Sequence, residues 1–183
     1  MSTRIKNAAL ITTERLFLRP FRKEDAELVS FNSKQPKVAD QMSDMILETK
    51  EEAKAWILQT QSWFNITDYI CQILAIERID DKKLLGLIGV AAKENLGGEV
   101  EILFNITDIE QNKGYATEAA RALIQWTFSH CELNYLVAIV KTNNLASQKV
   151  IDKLGFTYIE QRTLEYDGNQ TVFNYYQLYR PRV

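Results

Sequence analysis

The chain has no long apolar run: no stretch approaches the ~20 apolar residues a membrane helix needs, and Met1 to Leu10 holds none of signal-sequence length. A membrane protein is therefore not expected, and a cytoplasmic one is. Metal-ligating side chains are scarce. The single histidine, His130, cannot complete a zinc cluster with the only cysteines, Cys71 and Cys131, which form no close pair, so no metal site is expected and both are read as reduced thiols in or near the core. There is no excess of positive charge either. With 22 basic against 24 acidic side chains and a pI near 5.6, the chain lacks the balance that neutralising a phosphate backbone requires, which disfavours general nucleic-acid binding. The glycine fingerprints Gly-x-Gly-x-x-Gly and Gly-Lys-Ser/Thr are both absent, which weighs against NAD and ATP.

What is present reads as an ordinary globular chain. Apolar residues at 46% and charged residues at 25% suit a folded core, and no repeat, low-complexity segment or linker divides residues 1–183, so a single domain is expected. Leu16 and Leu18 alternate with Arg15 and Arg19 in a first strand within Leu10 to Phe21; a short helix follows from Arg22 to Ser33. Pro36 interrupts a polar stretch, and Thr49 with Glu52 forms a capping box for a second helix through Trp56 and Trp63, tryptophans expected to pack on the sheet. Tyr69 to Ile79, Leu84 to Ala92 and Glu99 to Ile106 read as an antiparallel meander. A helical period then runs from Ala116 to Phe128, Tyr135 to Val140 is a strand, and Ala146 to Leu154 is a helix closed by Gly155. Two strands around Asp167-Gly168-Asn169 end the chain, and one face of their aromatics, Phe173, Tyr175, Tyr176 and Tyr179, offers a homodimer contact. The strands flanking the Gly114 helix suit parallel pairing, since a helical crossover joins them.

The segment Glu110 to Thr117 stands between a strand and a long helix. Gly114 allows close backbone approach, Ala116 leaves the helix start uncluttered, and the first-turn N–H groups point outward with the positive end of the helix dipole behind them. A phosphate or diphosphate suits such a place, with Lys113 adding a point charge. The alternative is an ordinary loop-to-helix junction that contains a glycine.

Three separated pieces, Gln111-Asn112-Lys113-Gly114-Tyr115-Ala116, Asn144-Leu145-Ala146-Ser147 and Lys153-Leu154-Gly155-Phe156, resemble the GCN5-related N-acetyltransferase superfamily. The opening Thr13-Glu14-Arg15-Leu16-Phe17-Leu18-Arg19-Pro20-Phe21, with Glu24-Asp25-Ala26, is similar to its ribosomal-protein N-terminal acetyltransferase branch; the likeness runs from about Thr12 to Tyr179. It implies an α+β fold: a mixed, mostly antiparallel sheet of about seven strands, helices on both faces, and two parallel central strands splayed into a V. It implies acetyl-CoA as co-substrate and a primary amine, on a small molecule or a protein N-terminus, as acceptor. Carried over residue by residue, Gln111, Asn112, Lys113, Gly114, Tyr115, Ala116 and Thr117 hold the diphosphate, while Phe104 and Ile106 hold the pantetheine amides. Asn144 and Ser147 meet the pantetheine arm, unless Asn144 is a plain helix cap and Ser147 a first-turn serine. Glu101 is the candidate base, with a substrate-cation ligand or a solvent-facing strand residue as rival roles and Glu165 as a second candidate. An amide near Leu103 would stabilise the oxyanion. Where many relatives place a tyrosine, this chain has Ile151, so Ser147 or solvent must protonate the thiolate. A non-catalytic acyl-CoA-binding module is the alternative.

Overall fold

The computed structural model describes residues 8–64 and 70–181. One sheet holds eight strands: β1 (Ile11–Thr12), β2 (Leu16–Arg19), β3 (Cys71–Arg78), β4 (Leu84–Lys93), β5 (Glu99–Ile106), β6 (Tyr135–Lys141), β7 (Thr157–Tyr166) and β8 (Asn169–Tyr179). Their spatial order is β1-β2-β3-β4-β5-β6-β8-β7, antiparallel throughout except for the parallel pair β5 and β6. Five α-helices among the described residues accompany it: α1 (Ala26–Ser33), α2 (Pro36–Gln41), α3 (Lys50–Trp63), α4 (Tyr115–His130) and α5 (Leu145–Lys153). This is the mixed α+β architecture expected, with eight strands instead of about seven. Among the described residues no helix is long and apolar enough to cross a membrane. The N-terminal segment Met1 to Asn7 and Tyr69, the first residue of the expected third-strand run, lie outside the described residues.

The departures have local causes. The first expected strand is split because Thr13 turns the chain: its amide donates to the Leu16 carbonyl at 2.9 Å, and its hydroxyl accepts from the Leu16 amide at 2.9 Å. The short β1 thereby folds back on β2. Pro36 starts helix α2, since a proline at the first helical position loses no hydrogen bond. Only half the capping box forms, because the Thr49 hydroxyl accepts from the Glu52 amide at 3.1 Å whereas the Glu52 carboxylate accepts from Glu48 instead.

Strand alternation sorts the core into two layers. Val100, Ile102 and Ile106 of β5 pack with Ala119, Leu123 and Ile124 of α4 and Ile151 of α5. Leu103 faces the other way, towards Ala26 and Val29 of α1 and Ala53 and Ile57 of α3, and Trp56 meets Phe21 edge-on at 5.2 Å as part of that layer. The β7–β8 turn has positive φ at Asp167 (51°) and Gly168 (71°), the conformation that continues the twist of a tight hairpin. The tail aromatics pack within the chain. Phe173, Tyr175 and Tyr176 are buried, and of the four only Tyr179 is exposed. Both cysteines are free and buried.

Candidate active site

The parallel strands touch at one place. Glu101 and Val137 are the single register pair between β5 and β6, while β4 follows β5 from Glu99 to Ile106 and β8 follows β6 from Tyr135 to Lys141. Beyond that pair the two arms separate, leaving a V open towards their carboxyl ends, the place where ligands bind in sheets of this kind. The Thr107 amide donates to the Leu85 carbonyl of β4, so alternation turns the main-chain groups of Phe104 and Ile106 away from β4 and into the V. The Ile106 carbonyl already accepts from the Gln111 side chain at 3.0 Å, which leaves its amide for a ligand. By the same alternation the Leu103 amide points to its partner Gly89 on β4. The neighbouring Phe104 amide is the one that faces the opening.

A cleft of about 680 Å³ fills the V, and it reaches Phe104, Ile106, Gln111, Asn112, Gly114, Tyr115, Ala116 and Thr117. Gly114 stands just before α4 with φ +83°, Asn112 is also left-handed at φ 63°, and among the described residues no side chain caps the helix. The first helical bond is the Glu118 amide to the Gly114 carbonyl at 3.0 Å, so the amides of Tyr115, Ala116 and Thr117 have no intrahelical acceptor and lie at the cleft wall. Lys113 does not line the cleft; its ammonium is drawn to the Glu110 carboxylate at 2.8 Å.

Sequence reasoning missed what holds this loop. Glu110 is buried and takes Lys83 at 2.7 Å, Lys113 at 2.8 Å and Arg78 at 3.1 Å; hydrogen bonds from Lys113 and Lys83 lower its pKa to about 2. Arg15 donates to the Lys113 carbonyl at 3.1 Å and to Glu118 at 2.7 Å, and its guanidinium lies 4.6 Å from the centroid of the Tyr115 ring. The loop is therefore clasped from both sides by partners distant in sequence.

Glu101 lies where the V closes. It points to the face opposite α4 and α5 and is buried; that burial raises its carboxyl to about 7, although Lys93, 3.7 Å away, favours the ionised form. Asp44 adds to the rise, which marks it as a neighbour. Asn144 caps α5, its side-chain oxygen accepting from the Ser147 amide at 3.0 Å, so its cap role is real while both residues also line the cleft. Ile151 is buried in the core as well as lining the cleft. Glu165 is exposed on β7 and does not line it, because alternation turns Tyr166 inward in its place. Among the described residues no cluster of three or more His, Cys, Asp or Glu side chains could hold a metal ion.

A family model described as an acetyltransferase (GNAT) domain matches residues 15–157. The chain belongs to the GNAT acetyltransferase family. The N-acetyltransferase YoaA of Bacillus subtilis is 28% identical to this GNAT chain over 180 residues, covering 94% of it and 98% of YoaA. A GNAT-family acetyltransferase of Bacillus anthracis superposes with a TM-score of 0.79 at 22% identity, covering 93% of this chain and 98% of that one. RimL, a ribosomal L7/L12 α-N-protein acetyltransferase solved with coenzyme A, superposes with a TM-score of 0.73 at 14% identity, covering 93% and 98%. These structural likenesses extend the GNAT fold over almost the whole chain.

Proposed function

We propose that this chain is one acetyltransferase domain that moves an acetyl group from acetyl-CoA to a primary amine by direct attack on the thioester. The observation that carries the reading is the row of uncapped amides from Tyr115 to Thr117, opening on a cleft that continues into the V. A diphosphate suits that row because oriented N–H groups and the helix dipole meet its charge without a side-chain cation. The main-chain groups of Phe104 and the Ile106 amide would then take the pantetheine amides in place of a neighbouring strand. The fit is supported further by Gly114, whose positive φ is poorly tolerated by other residues.

The chemistry follows from this frame. The sheet separates the helix-α4 face from the face bearing Glu101, and the gap between β5 and β6 joins them, so a thioester threaded through the V would meet an amine beside Glu101. An amine with a pKa of ~8 to ~10 arrives mostly protonated. Glu101, with a pKa near 7, accepts a proton from it at neutral pH more readily than an ordinary glutamate would. The nitrogen lone pair forms the new C–N bond while the Phe104 amide steadies the oxyanion; the nitrogen then loses its second proton to solvent, and the C–S bond breaks to release a thiolate. Its proton comes from Ser147 or from solvent, since Ile151 has none to give.

The experiment is a calorimetric titration with coenzyme A, followed by an assay of thiol release with acetyl-CoA and a panel of amines. Binding with turnover supports the enzyme; binding with no release from any amine identifies an acyl-CoA-binding module instead.

A further inference from the structure

The segment from Gln35 to Met45 crosses the open V on the Glu101 face. At one arm, the Gln35 side-chain oxygen accepts from the Thr107 hydroxyl at 2.8 Å and the Asp108 amide at 2.6 Å, and the Met42 sulfur receives the Asn105 amide group at 3.6 Å. At the other arm, the Lys141 ammonium donates to the Asp40 carbonyl at 2.6 Å. The Tyr166 hydroxyl bonds the Asp44 carboxylate and the Gln41 carbonyl, and Lys141 lies 5.0 Å from the centroid of the Tyr166 ring. The segment is thus a strap fastened to the ends of β5, β6 and β7, with the cleft beneath it.

The chemistry under the strap suits a cation with a small apolar body. Glu101 and Asp44 supply carboxylates, with the Lys93 ammonium 3.7 Å from Glu101, while Met42, Met45 and Ile139 supply apolar wall. The Gln41 side-chain oxygen is buried with no hydrogen-bond partner among the described residues, and an unmet acceptor of that kind is costly unless a ligand donates to it. A primary ammonium brings three donors. An extended polypeptide, in contrast, needs a groove open along its length, and the strap lies across that path.

We propose that the acceptor is a compact primary amine with a small apolar body and not a polypeptide N-terminus, and that Tyr166, Lys141 and Asp44 are the specificity-determining residues. The proposal rests on the acetyl-transfer reading.

The test measures coenzyme A release by the full chain with 2-phenylethylamine, phenylalaninamide, and hexapeptides beginning with phenylalanine or serine. The expected result is a kcat/KM at least about 100-fold higher for the compact amines than for either hexapeptide. Tyr166→Ala combined with Lys141→Ala should raise hexapeptide kcat/KM about 10-fold while the Kd for coenzyme A stays within about 2-fold of wild type. Hexapeptides used within about 3-fold of the compact amines overturn the proposal, as does an unmoved ratio in the folded variant or a failure of both compact amines to bind the coenzyme A-loaded protein. If the double variant does not fold, the wild-type series still decides. A separate titration with coenzyme A alone distinguishes the failures: no binding removes acetyl transfer itself, whereas binding with peptide turnover removes only the strap's role.

Discussion

Replacing Glu101 by glutamine should make the protein more stable and less active, with both effects set by one buried carboxyl. Burial raises its pKa from 4.5 to about 7. The folded chain therefore holds a proton that the unfolded chain releases between those values, and stability falls as pH rises through that window. Once the group is ionised, the cost is about 3 kcal/mol. Glutamine keeps the shape and cannot ionise, so the gain should be absent near pH 4 and complete above pH 8, appearing there as a rise in Tm of roughly 6 to 12 °C. Thermal unfolding of both proteins across pH 4 to 9 provides the measurement. Steady-state kinetics over the same range should show the wild-type kcat/KM climbing through an apparent pKa near 7, and the variant losing that inflection together with about 100-fold in kcat. A stability difference between variant and wild type that is the same at pH 4 and pH 8, or a variant that keeps the wild-type pH profile, would refute both the burial argument and the assignment of the base.

Two further substitutions probe the coenzyme loop. Gly114→Val forces a β-branched residue into φ +83°, at a cost of about 1 to 3 kcal/mol. Calorimetry should show coenzyme A affinity reduced by more than about 100-fold with the protein still folded, because the distorted turn also misaims the amides behind it. Glu110→Gln removes the anion shared by Lys83, Lys113 and Arg78 without touching the cleft-facing amides. It should weaken coenzyme A binding by about 10-fold with little change in kcat at saturation, and an unaltered Kd would show that the clasp does not position the loop.

The parts legible in the sequence were those written within a few adjacent residues. A glycine between a strand and an apolar-periodic helix marked the uncapped turn at Gly114, and Asn144 three residues before Ser147 marked the start of α5. Pro36 carried a helix-start signal too, which the surrounding polar residues obscured. Long-range pairing was not legible. Arg15 meets Glu118, 103 positions away, and Tyr166 meets Asp44, 122 positions away, so neither the clasp on the loop nor the strap over the cleft leaves a local spacing to read. The Leu103 amide shows a different limit. Which strand residues turn their main chain into the V depends on register with β4, and a one-residue change would exchange Leu103 with Phe104.

The central claim is that main-chain amides beside Gly114 hold the diphosphate of coenzyme A. Titration of isotope-labelled protein with acetyl-CoA, followed by backbone amide resonances, tests it most directly. The account predicts saturable shifts that are largest at Tyr115, Ala116 and Thr117, with a second group at Phe104 and Ile106. Saturable binding that leaves all five amides unmoved would contradict it.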